Sequence, residues 1–295
     1  MIKSMFKSIT RQFQDILNQF KGEGLKPQLL KEGFGSLVVN VGNKAFVVLT
    51  GVLLVRILGK AEYGIYSYIL SLVYVLILPA EFGISNLIVR ETAQGIAKDK
   101  PSAIIGIWRW SIGITLGFSA GIIFITSAAA YLFGGDYFNR LELITLFWAL
   151  LLMPFQALVH LSGAALRGLK RVVLGQLPDL LVIPGLFSIL FLLFSFIFPQ
   201  KLSSITVMAL RAISTIIAFM FSFVLLIRKV PSAIRSAKPI YQGRIWLASA
   251  LPLGLSSGLS MVKTRSTILI MGLFVGPGDI GTFQIAVSTA AIAAL

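Results

Sequence analysis

GKAEYGIY (residues 59–66) and GPGDIGTF (residues 276–283) share one pattern at a constant offset of 217: Gly, two residues, an acid, one residue, Gly, one residue, an aromatic. Each octapeptide closes one long apolar run and precedes another. If the unit between them crosses a bilayer an even number of times, the second unit enters in the same sense as the first. The two units are then a parallel repeat, related by a pseudo-two-fold axis along the membrane normal. The two turns decide the fold once the runs between them are shown to be membrane spans and are counted.

The composition supports a membrane reading. Of 295 residues 57% are hydrophobic and 13% charged, against about 25% charged in ordinary soluble domains. A span needs roughly 20 apolar residues to cross a ~30 Å hydrocarbon layer. Seven complete runs are expected, at about 35–58, 65–89, 107–133, 141–163, 180–198, 204–227 and 247–275, and an eighth begins near residue 282. Six spans therefore make one repeat unit. The final STAAIAAL (288–295) carries no cap, stop signal or flanking charge, so the chain reads as ending inside a helix. Two full units predict twelve spans and a protein of about 450 residues.

Charge sets the expected orientation. The formal charge of +15 would suggest nucleic acid in a soluble protein, but here most basic residues lie in short loops between apolar runs. Seventeen Lys and Arg fall in the N-terminal segment and the even-numbered loops, against Lys60, Arg140 and Lys201 on the other side. The positive-inside rule puts the N-terminus in the cytoplasm of a multi-pass protein of the cytoplasmic (inner) membrane, with no role for nucleic acid. The first 34 residues lack an apolar signal-peptide core. Ile2, Phe6, Ile9, Phe13, Ile16 and Phe20 recur there at helical spacing among Lys3, Lys7 and Arg11. A basic amphipathic helix on anionic membrane lipids and a solvated tail both fit. The expected organisation is a basic segment over 1–34, a six-helix lobe over 35–227, a basic loop over 228–246, and the start of a second lobe over 247–295.

Without cysteine there is no disulfide or thiolate site, and the single histidine leaves little material for metal ligation. Function must come from polar residues inside the spans, each costing about 2.5–3.5 kcal/mol unless it faces a cavity or partner. Lys44 is the first. It lies about 13 Å into helix 1 at 1.5 Å per residue and shares a face with Asn40 and Asn43. A cavity role, an ion pair with Glu81 at similar depth, and snorkelling to the headgroups are three open readings. Helix 7 carries a polar stripe of Ser256, Ser260, Lys263 or Thr264, and Thr267, with Arg265 on another side. Lys263 is too deep to snorkel easily. Arg56 and Arg109 lie near span ends, and Trp108 and Trp110 fit an interfacial belt. Arg211 could face either way. His160 reads as a hydrogen-bonded packing residue before a proton carrier, Glu81 as the one clear intramembrane acid. Gly113, Gly117 and Gly121 form a small-residue face suited to close helix packing. Pro79 in helix 2 and Pro252 in helix 7 predict bends.

VVNVGNKAFVVLTGVLLVRILGKAEYGIYSYILSLV (38–73), EFGISNLIVRETAQ (81–94) and TRSTILIMGLFVGPGDIGTFQIAVS (264–288) resemble the flippases of the MOP superfamily, which carry lipid-linked oligosaccharides, and their MATE exporter relatives. The resemblance implies an all-α polytopic membrane protein of twelve helices in two six-helix lobes, with this chain holding one lobe and the start of the next. It also implies a central cavity, lined substantially by helices 1, 2, 7 and 8, that opens alternately to the two sides. The expected substrate-binding residues are Asn40, Asn43, Lys44, Glu81, Ser260, Lys263 and Arg265. Their cations suit the two phosphates of a polyprenyl-diphosphate-linked glycan. Glycan-assembly proteins are further candidate partners, no cofactor is expected, and H+ and Na+ are both open as coupling ions. The alternatives are a cation-coupled exporter of amphiphiles, which would use acids in the lobes, and a polytopic glycosyl or prenyl transferase. The scattered acids show no DxD or DDxxD spacing and no P-loop, which disfavours the enzyme.

Overall fold

The computed structural model describes residues 25–137 and 139–293. The predicted amphipathic segment up to residue 24 lies outside them. Among the described residues the ordered elements are all helical. The first span is α1 (Leu25–Leu58), which takes in residues 25–34 without a break. The second is divided into α2 (Lys60–Leu76), α3 (Leu78–Glu81) and α4 (Ile84–Ala97). Then come α5 (Pro101–Tyr137) and α6 (Arg140–Gly168). The fifth span joins α7 (Val172–Leu177) through a π-helical turn (Pro178–Val182) to α8 (Ile183–Ile197). After α9 (Ser204–Lys229) and a short α10 (Ser232–Arg235), α11 (Gly243–Phe274) and α12 (Pro277–Ala293) follow. Among the described residues seven helical stretches are long and apolar enough to cross a membrane.

Several acids serve helix ends. Glu62 Oε2 accepts from the Ser204 N–H at the start of α9 (2.6 Å), and Glu32 Oε2 from the Val173 N–H at the start of α7 (2.7 Å). Asn139 and Glu142 form a reciprocal capping box on α6. Each supplies an acceptor to an amide that has no intrahelical partner and sits at the positive end of a helix dipole. That leaves few acids for chemistry inside the bundle.

The bend expected at Pro79 is a complete interruption: the helix stops at Leu76, resumes as one turn, and stops again at Phe82 and Gly83. Gly83 has φ 69°, and a Cβ there would strike the Ala250 carbonyl of α11, so both its left-handed backbone and its bare α-carbon are needed. By contrast α11 runs unbroken through Pro252. The glycine face at 113, 117 and 121 meets nothing within 4 Å of a would-be Cβ, so among the described residues it packs no helix.

The octapeptide repeat is visible as geometry. A methyl group on Gly64 would collide with the Pro277 carbonyl oxygen, and one on Gly281 with the Lys60 carbonyl oxygen. Gly64 and Gly281, like Lys60 and Pro277, are related by the sequence offset of 217. The crossing of α2 and α12 is therefore reciprocal, as a two-fold axis between the repeats requires.

Two cores hold the bundle. One joins Tyr63, Tyr66 and Ile69 of α2 to Met153 of α6, Phe187 and Phe191 of α8 and Met208 of α9. The other joins Leu87 of α4, Ile107 of α5, Leu161 of α6 and Trp246 of α11. Hydroxyl pairs link neighbouring spans, including Thr50 with Ser188 at 2.6 Å and Ser162 with Ser222 at 2.7 Å. Such pairs contribute about 0.6 kcal/mol each in a membrane, enough to fix rotation more than stability. Phe124, Tyr131 and Phe196 are 75%, 88% and 83% exposed, an apolar exterior that suits lipid.

Candidate functional site

Two polar cavities lie inside the bundle. The Glu81 cavity, of about 320 Å³, is built by the broken second span (Glu81, Phe82, Asn86), α6, the fifth span and α11. The Arg211 cavity, of about 410 Å³, is built by α1, α2, α6, the fifth span and α9, with Arg265 from α11. His160, Asp179, Leu180 and Met261 line both, so these four side chains form the wall between them.

The wall carries a connected polar network. His160 Nδ1 lies 2.8 and 2.9 Å from the two Glu81 carboxylate oxygens. Its Nε2 lies 2.9 Å from the Gln156 amide nitrogen and 3.5 Å from Asp179 Oδ1. The same amide nitrogen donates to Asp179 Oδ1 at 2.8 Å. Three spans thus place an imidazole between two carboxylates. Local backbone explains the placement of Asp179: Pro178 and Pro184 bracket the π turn, where missing amide donors loosen the α-helical ladder and let the side chain turn inward.

The Arg211 cavity is cationic. The Arg211 guanidinium reaches the Tyr74 hydroxyl at 3.3 Å and lies over the Phe187 ring, 5.5 Å from its centroid. Its Nε is buried and has no hydrogen-bond partner among the described residues. Arg265 stacks on the same Tyr74 ring at 4.7 Å. Among the described residues neither arginine has a carboxylate within ion-pair distance. Two guanidiniums thus flank one tyrosine in an enclosed space, held by aromatic faces and left open to an anion.

The sequence-selected residues fall into three groups. Asn43 and Arg265 line the Arg211 cavity and Glu81 the Glu81 cavity. Ser260 borders a third, open hollow together with Arg265. Asn40 donates to the Ser36 carbonyl of its own helix at 2.7 Å. Lys44 and Lys263 are exposed and line none of these cavities. Glu81 is held by His160, so the ion pair that Lys44 would have made is occupied by another partner. Met261, 217 positions after Lys44, is a wall residue, so the two lysines are not structural counterparts. Sequence reasoning passed over Asp179 and Gln156, read His160 as packing, and left Arg211 undecided. The one available signal was the Pro178-Asp179 pair ahead of Pro184 at the mouth of an apolar run.

The comparisons fit this geometry. No match was found among curated proteins. Among solved structures, the chain is similar to an inward-facing multidrug resistance MATE family transporter of the MOP superfamily, at 17% identity and a TM-score of 0.59. The match covers 92% of this chain and 59% of that one, so the chain spans under two thirds of the transporter's length. At that identity the likeness establishes the fold alone: the described residues share the all-α arrangement of that transporter over the part covered. The family profile described as "Polysaccharide biosynthesis protein" matches residues 29–294, nearly the whole chain, and the chain belongs to that family.

Proposed function

We propose that the protein is a flippase that moves an anionic polyprenyl-diphosphate-linked oligosaccharide across the cytoplasmic membrane by alternating access, without covalent chemistry. One observation carries the reading: Arg211 and Arg265 flank Tyr74 inside a polar cavity, with Arg211 Nε buried and unpartnered. A diphosphate supplies several acceptor oxygens for such forks. Ser67 and Ser71 in the same cavity offer hydroxyls to a sugar. An apolar groove of about 530 Å³ between Pro79, Trp110 and Leu251 shares Leu78, Phe82, Gly254 and Gly258 with the Glu81 cavity. It gives a prenyl chain an apolar path beside the polar interior. The loop charges support a cytoplasmic N-terminus, which puts the Gly64–Gly281 crossing on the outer side.

The test is Arg211→Ala and Arg265→Ala in the full-length protein, scored by surface polysaccharide in a host lacking its own flippase. Each is expected to leave less than about a tenth of wild-type export, the loss expected of a buried charge-assisted contact of about 1.5–3 kcal/mol. Wild-type export in both variants overturns the proposal. A second reading, an exporter of amphiphilic cations, is favoured by the second intramembrane acid, Asp179. It predicts that the protein raises drug tolerance in that host and leaves polysaccharide unchanged.

A further inference from the structure

We infer that His160 is a proton-carrying site, loaded from one cavity and unloaded to the other, and that proton movement through it is linked to transport. The inference rests on the transport reading above for its link to export, while the proton site itself does not depend on the cargo.

The argument begins with the wall. His160 is 24% exposed and Glu81 18% in their side chains, and the exposure of each opens onto a cavity. A residue that lines two cavities at once is the place where a proton passes from one to the other. The hydrogen-bond pattern then specifies a state. With both Glu81 oxygens within 2.9 Å of Nδ1, the Nδ1–H donates to the carboxylate. The Gln156 amide nitrogen, with its two hydrogens, donates to Nε2 and to Asp179 Oδ1. With the amide set this way Nε2 is an acceptor and the ring carries its proton on Nδ1.

That arrangement leaves one group unsatisfied. Gln156 is 1% exposed, and its Oε1 is buried with no partner among the described residues. Turning the amide end over end places Oε1 against Nε2 and Asp179 Oδ1, both acceptors in the state above, so the turned setting needs a hydrogen on one of them. Gln156 thus has one setting for the unprotonated Nε2 beside an Asp179 carboxylate and another for the state in which Nε2 or Asp179 carries the proton.

The proton balance closes. A proton arriving on Asp179 from the Arg211 cavity passes from Oδ1 to Nε2, which restores the Asp179 carboxylate and gives an imidazolium between two carboxylates. The Nδ1 proton then passes to a Glu81 oxygen, the N–H bond breaking as the O–H bond forms, and the ring is left neutral with its proton on Nε2. Glu81 releases its proton to the Glu81 cavity and is again a carboxylate, so one proton has entered on the Arg211 side and one has left on the Glu81 side. Reorientation of the ring resets it for the next proton. The other charged groups sharing these cavities are Arg167 on the Glu81 side, and Arg211, Arg265 and the Tyr63, Tyr66 and Tyr74 phenols on the other. From α1 the lining contributes Asn43 and Thr50, which carry no charge. Among the described residues the imidazole occupies the space between these two carboxylates, so Na+ has no seat between them.

The test uses the full-length protein in nanodiscs with 15N-labelled histidine, the His160 signal being assigned by its loss in H160Q. Between about pH 5 and 9 the signal is expected to move from the neutral to the imidazolium pattern, and E81Q is expected to displace that transition. Addition of 100 mM Na+ at constant pH is expected to leave it unchanged. In cells, H160Q is expected to export less than a tenth of the wild-type polysaccharide, and collapsing the pH gradient with nigericin is expected to reduce wild-type export to that level. A His160 signal fixed in either state across the range overturns the inference, as does a Na+ response that mimics acid or wild-type export by H160Q. A titrating His160 in a protein that exports no glycan lipid instead overturns the proposed cargo and leaves the proton site standing.

Discussion

At the scale of single residues, enclosure separates the cations that hydropathy alone ranks together. Lys44 and Lys263 are deep in their helices by residue count, yet both are exposed and outside the cavities, whereas Arg211 is enclosed between Tyr74 and Phe187. Lys44→Ala and Lys263→Ala are therefore expected to lower export by no more than about threefold, against the tenfold or greater loss at Arg211, because exposed cations contribute about 0–1 kcal/mol to an ionic contact. Surface polysaccharide in the same flippase-deficient host checks this, and a tenfold loss at either lysine would return it to the binding site. The contrast also shows what the sequence could reveal. That Asn43, Glu81 and Arg265 line cavities was legible, because depth and helical face follow from spacing. The partners of Glu81 were not, because His160 is 79 residues away and no periodicity links them. Asp179 was missed for a different reason: hydropathy starts the fifth span at residue 180, while the helix begins at Val172, eight residues earlier.

At the scale of elements, the glycines divide into those that enable a crossing and those that do not. The spacing of Gly113, Gly117 and Gly121 matches a packing face, but sequence spacing cannot say whether a neighbour arrives, and among the described residues none does. Gly64 and Gly281 gave only a weak signal in an octapeptide, and they mark the reciprocal contact of α2 with α12. A side chain at either position meets backbone that has no rotamer by which to retreat, so Gly64→Val must push the helices apart or stop them from closing. Gly64→Val is expected to abolish export while the protein still reaches the membrane. Gly278→Val, at the second position of α12 with nothing within 4 Å, is expected to keep at least half of it. Export assays with membrane-fraction immunoblots distinguish the two. Normal export by Gly64→Val would mean that the crossing is not part of the cycle.

At the scale of the whole molecule, the two crossings between repeats are unequal, and the inequality bears on which side is open. Near one end α2 and α12 touch through bare glycine backbones, which leaves no space for solvent. Toward the other end the broken second span meets α11 through Gly83 and the Phe82 ring on Gly254, and beside that contact lies the Glu81 cavity. On the proposed orientation, which rests on seventeen basic residues against three, the second end faces the cytoplasm. The conformation on that proposal is one closed outside, with the Glu81 cavity approached from the cytoplasm. Ser257 lines that cavity and accepts from the Asn86 amide at 3.1 Å. The chain has no native cysteine to confuse labelling, so Ser257→Cys places a single small thiol there. A membrane-impermeant maleimide is expected to label it in inside-out vesicles at least tenfold faster than in intact spheroplasts. Combining it with Gly64→Val, which opposes outer closure, is expected to narrow that ratio, because an alternating cycle that cannot close outside cannot stay open inside. Faster labelling from outside in the parent protein would reverse the orientation, and an unchanged ratio in the double variant would uncouple the glycine crossing from access to the cavity.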